Sequence, residues 1–156
     1  MSSQSINKTI SSLCDDFSTG RPLANILSNF TISPPPIALE HGLPQLAPFL
    51  GREFTGLDGL QEYFTLIGDL LTIKSMRFDA QDQWVVDIAK GVVCLRGYAR
   101  FSAKETDQSW DEVFIYRIEG VGNECGEWKV RRYEVWADSG AAYLALKGLL
   151  EKDANG

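Results

Sequence analysis

The chain has 156 residues, 44% of them hydrophobic, with four Trp, five Tyr and eight Phe, which suits one domain with a substantial core. Its net charge of −6 speaks against a nucleic-acid partner: phosphate binding draws on a basic stripe, and the arginines between Arg96 and Arg132 are interleaved with acids. Three cysteines and a single histidine show no metal-type spacing. No run of about 18 apolar residues is present, and the start lacks the basic-then-apolar pattern of a secretion signal. The expectation is a single domain over 1–156, with its core at about 5–150, in a cytoplasmic setting without membrane, metal or cofactor.

In chain order, Ile6, Ile10, Leu13 and Phe17 recur at helical spacing and predict a first helix over 5–17. "PLANILSNF" (22–30) predicts a short second helix opened by Pro22. "SPPP" (33–36) imposes extended backbone, and "IALEH" reads as a short strand ended by Gly42 and Pro44. Residues 44–56 read as a loop or short irregular helix. Leu57, Leu60, Phe64, Ile67 and Leu71 share one face of a third helix over 57–71.

After Leu71 the period changes to two, predicting strands near 72–79, 82–89, 91–104, 108–119 and 127–137. "DSGAAYLALKGLLEK" reads as a closing helix capped by Asp138 or Ser139, and "DANG" (153–156) as a frayed tail. Helices followed by an antiparallel meander are the α+β pattern. A curved antiparallel sheet wrapped around the N-terminal helices, a cone-shaped roll with an internal pocket, is the expected architecture.

Pairing 91–104 with 108–119 through the "KETDQ" turn sets Arg100 opposite Glu112, Tyr98 opposite Phe114 and Arg96 opposite Tyr116, with Trp110 on the same face. The other face then carries Val93, Leu95, Gly97, Ala99 and Phe101 against Val113, Ile115 and Arg117. Arg132, Glu134 and Trp136 of the last strand share one parity and join the polar-aromatic set. Either that set is solvated and the aliphatic face is core, or it lines the pocket. In the second case the aliphatic face, flattened by Gly97 and Ala99, meets a second copy of the chain in a homodimer through the outer sheet face.

"IALEHG", "REFTGLDGLQEYF", "SWDEVFIYRIEG" and "EWKVRRYEVWAD", in this order, resemble the nuclear-transport-factor-2-like cone fold. The resemblance is to its SnoaL-like branch, alongside polyketide cyclases, ketosteroid isomerases and scytalone dehydratase. It runs from Ile6 to about Leu149, and Gly56, Leu60, Tyr63 and Phe64 match the step into the third helix. Ketosteroid isomerases carry a catalytic carboxylate in a Glu-Asp-Pro context just before that step. This chain reads Glu40-His41-Gly42 there, which the resemblance turns into a histidine at the place of the base. The resemblance also implies that Trp110, Glu112, Arg132, Glu134 and Trp136 point into the cone.

The candidate catalytic residues are therefore His41 as base, Glu112 as its orienting partner or second acid, and Tyr116 as donor to a developing enolate. The candidate ligand-binding residues are Arg96, Tyr98, Trp110, Phe114, Arg132, Glu134 and Trp136. Each has a plain structural reading beside it. His41 is a strand-end residue bonded to a loop carbonyl, Glu112 is the ion-pair partner of Arg100, and the rings fill the core. Two functions stay open: a cofactor-free lyase, isomerase or cyclase acting on a small hydrophobic carbonyl or polyketide-like compound of secondary metabolism, or a non-catalytic ligand-binding or dimeric module.

Overall fold

The computed structural model describes residues 2–151; the frayed tail expected at 153–156 lies outside them. Helix α1 (Ser3–Ser18) starts at Ser2, whose hydroxyl accepts from the Ser5 N–H, and buries Ile6, Ile10, Leu13 and Cys14 along one stripe. Helix α2 (Leu23–Leu27) follows, shorter than the expected span over 22–30. Strand β1 (Ile37–His41) pairs with a three-residue β2 (Glu53–Thr55), which hides inside the stretch read as loop. Helix α3 (Gly56–Leu70) opens on Gly56 at φ 79, a left-handed conformation that favours glycine.

Strand β3 (Leu71–Phe78) continues directly from α3. The strand expected over 82–89 resolves into a single 3-10 turn (Gln81–Gln83) and the short β4 (Val85–Asp87). The long strands β5 (Val92–Ala103), β6 (Ser109–Gly122) and β7 (Trp128–Trp136) form the body of the sheet. Helix α4 (Ser139–Leu146) is capped by Asp138, whose carboxylate accepts from Ala141 N. It stops well before residue 152 because Gly148 takes φ 72, the usual left-handed helix ending.

The sheet order is β2-β1-β7-β6-β5-β3, with β4 also on β5. It is not wholly antiparallel, since β1 runs parallel to β7. The concave side holds α1 and α3, and Phe17 links them, its ring lying near those of Phe64, Phe78, Tyr116 and Tyr133. Gly97 belongs to this interior, because a Cβ there would run into the Phe114 ring. The aliphatic residues of β5 are thus core rather than the flat outer face expected to meet another copy: Val93 and Leu95 are buried and Ala99 packs with them. No helix among the described residues is long and apolar enough to cross a membrane.

Candidate active site

Between the sheet's concave side, α3 and the start of α4 lies a hollow walled by aromatic and aliphatic side chains. Its cavity volume is about 80 Å³, so the space is narrow. Strand β1 alternates, so that Ala38 and Glu40 turn inward while Ile37, Leu39 and His41 turn outward. The carbonyl of Glu40 is fixed by the Gly51 N–H at 2.9 Å. Its carboxyl is buried against the hollow, and the Tyr63 hydroxyl on α3 donates to Oε1 at 2.6 Å.

Burial pushes the Glu40 carboxyl up to about 7; the Tyr63 hydrogen bond opposes this and the charge of Glu112 adds to it. Glu112 of β6 also lines the hollow. Its Oε1 accepts from Trp110 Nε1 at 2.9 Å and its Oε2 from the Asp138 N–H at 3.0 Å. Burial raises this carboxyl too, against the pull of those two bonds. Tyr63, Tyr116 and Tyr133 are fully interior, and burial keeps all three phenols protonated well beyond the usual range. A carboxyl poised near neutrality beside a fixed O–H donor can take a proton from a bound molecule and return it.

No family model matches the sequence, and no curated protein matches it. Solved structures do. An NTF2-like protein of unknown function from Burkholderia pseudomallei superposes with a TM-score of 0.70 at 16% identity, covering 94% of this chain and 98% of that one. A ketosteroid isomerase-like protein from Erwinia carotovora atroseptica gives 0.66 at 13% identity, over 86% and 95%. PrhC from Penicillium brasilianum gives 0.64 at 16% identity, over 94% of each chain. This chain has the NTF2-like fold.

Within the NTF2-like cone, Glu112, Tyr116, Trp110 and Phe114 line the hollow. The other six expected site residues do not, and their placement corrects the reading of the two faces. His41, Arg96, Tyr98, Arg132, Glu134 and Trp136 lie on the outer side of the sheet. The cause on β5 and β6 is a register one residue away from the expected one: Arg100 faces Asp111, Tyr98 faces Val113 and Arg96 faces Ile115. Gln108 still pairs with Ala103, so the turn is Lys104–Asp107, one residue shorter than "KETDQ". A slip of one residue moves every side chain to the other face.

On that outer side His41 Nε2 sits 3.0 Å from Glu134 Oε2, and its ring stacks on Trp136 at 4.2 Å. Arg132 donates to Glu134 and reaches Glu53 at 3.4 Å. Burial raises the Glu134 carboxyl, but the hydrogen bonds from Arg132 and His41 outweigh it and leave it below the usual range. Arg96 and Tyr98 both donate to Asp79, at 2.8 and 2.9 Å. Glu112 and Arg100 do not pair; Arg100 takes Asp111 at 3.0 Å.

Sequence reasoning passed over Glu40, Tyr63 and Tyr133 as site residues. The parity of "IALEH" offered a signal, since one face carries Ala38 and Glu40 and the other Ile37, Leu39 and His41. Tyr63 follows Leu60 by three on α3 and shares its buried stripe. Among the described residues no group of three or more His, Cys, Asp or Glu is arranged to hold a metal ion.

Proposed function

We propose that this NTF2-like protein is an acid/base enzyme of the isomerase, lyase or cyclase type. It works with its own side chains on a small hydrophobic carbonyl compound of secondary metabolism, in a reducing, cytoplasm-like compartment. The carrying observation is Glu40, buried against an aromatic hollow with Tyr63 on one oxygen and its carboxyl near neutrality. The description of one structural neighbour as ketosteroid isomerase-like is in keeping with this reading. In the proposed step the Glu40 carboxylate takes a proton from the carbon next to the ligand's carbonyl. The electron pair moves onto the carbonyl oxygen, where interior tyrosine hydroxyls such as Tyr116 stabilise it. The protonated Glu40 then returns the proton to a different carbon.

The test is solvent deuterium incorporation into a panel of cyclic enones and diketones, followed by proton NMR. The native protein speeds exchange of at least one member, Glu40→Gln lowers that rate by roughly 10²–10⁴-fold, and His41→Ala leaves it within a few-fold. A Glu40→Gln protein as active as the native one contradicts the assignment.

A second reading is a module that binds a ligand or a second copy without catalysis. It is favoured by the narrowness of the hollow and by an apolar strip across the outer sheet face. Trp136 lies beside His41 and Ile115 in the ladder, and Val113 lies beside Tyr98. Val113, Ile115 and Trp136 are exposed by 57%, 45% and 43%. We place the proposed homodimer contact on this strip, which is compatible with either reading.

A further inference from the structure

We infer that Glu112 selects the ligand: its carboxylate holds the hydroxyl hydrogen of an uncharged phenol or enol, and with Glu40 it keeps anionic molecules out of the hollow. The inference rests on the hollow being the ligand site proposed above.

Both Glu112 oxygens accept, Oε1 from Trp110 Nε1 and Oε2 from the Asp138 N–H, and these two bonds favour the ionised carboxylate against its burial. The two donors come from β6 and from the junction between β7 and α4, and Asp138 is itself tied into α4 through Ala141 N at 2.9 Å. Glu112 is thereby fixed in direction. A carboxylate offers about four acceptor positions, so two remain for whatever occupies the hollow, and they match only a donor. Glu40 differs in having one oxygen engaged by Tyr63 while, among the described residues, the other has no hydrogen-bond partner. The two carboxyls thus divide the work, one moving a proton and one gripping a hydroxyl.

No Lys, Arg or His is among the described residues lining the hollow. A ligand carboxylate or phosphate would be buried beside Glu40 and Glu112, with Asp138 also on the wall and no lining cation to compensate it, which is strongly unfavourable. The walls near Glu112 are aromatic. Trp110 lies 5.5 Å from Phe101 at 33°, and Phe114 stands beside Tyr116 at 5.0 Å, surfaces suited to a planar ring system.

The experiment is calorimetric binding of three probes of one shape to the full chain near neutral pH: 2-naphthol, 2-methoxynaphthalene and 2-naphthoate. 2-Naphthol is expected to bind about tenfold or more tightly than its methyl ether, because a hydrogen bond to a charged acceptor is at stake, and 2-naphthoate to bind more weakly still. Glu112→Gln is expected to bring naphthol and ether within about threefold of each other and to tighten naphthoate. Naphthoate binding as well as naphthol, an ether equal to naphthol, or no binding of any probe overturns the inference on the native chain alone, without reliance on a variant. Failure here is separable from failure of the proton-transfer reading. The gap between naphthol and its ether reports the grip of Glu112, whereas deuterium exchange reports proton transfer at Glu40.

Discussion

Glu40 and His41 are neighbours in sequence and face opposite sides of one strand. The imidazole ends outside, stacked on Trp136 and 37% exposed, while the carboxyl ends inside against Tyr63. Short strands carry too few residues for hydrophobicity to fix their parity, and in "IALEH" each face holds at least one apolar residue, so the side-chain directions were not legible. Burying Glu40 has a measurable consequence. Its folded value of about 7 lies above the ordinary 4.5, so between those limits the native state holds a proton that the unfolded chain has released. Stability is therefore fully present below the lower limit, falls as pH rises through the window, and levels off above it. At 1.36 kcal/mol per pH unit the fall is roughly 3 kcal/mol. Glu40→Gln keeps an acceptor for Tyr63 and removes this dependence. Denaturant titrations should show it level with the native protein at about pH 4 and more stable at about pH 8. Equal pH profiles for the two proteins would contradict the burial of an ionisable group there.

At the scale of elements, the long periodic segments were readable and the short or irregular ones were not. Helices α1 and α3 follow stripes at spacings of three and four, and β5, β6 and β7 follow clear alternation. β2 and β4 are three residues each, too short to show a period. The turn between β5 and β6 decided which of two good-looking faces became the interior. Its four-residue form depends on Asp107, which sits at φ 58 and is the one non-glycine residue with positive φ among those described. Asp is one of the few side chains that tolerate this conformation. Asp107→Val is expected to cost about 1–2 kcal/mol in urea unfolding, and Asp107→Gly to be neutral or stabilising. Equal stability of the three proteins would remove the turn as the determinant of register.

For the molecule as a whole, the order of elements and their pattern were enough to expect an α+β cone, because helices preceding a meander have few ways to bury both sets of apolar faces. The site was only half legible. Trp110, Glu112, Phe114 and Tyr116 share β6 and moved together as a set, whereas Glu40, Tyr63 and Tyr133 come from three different elements and meet only in the folded chain. The outer strip of Val113, Ile115 and Trp136 carries the proposed self-association. Light scattering at micromolar concentration should give a dimer for the native chain and a monomer for a folded Ile115→Lys variant, and a monomeric native protein would contradict it. Whether the cone encloses a carboxyl prepared for proton transfer is decided by carbon-13 NMR titration of the glutamate carboxyls, with the Glu40 signal assigned by its loss in Glu40→Gln. The expected midpoint for Glu40 is about 7. A midpoint at the ordinary 4.5 would mean that the carboxyl is wet, and would contradict a role for Glu40 as the proton carrier.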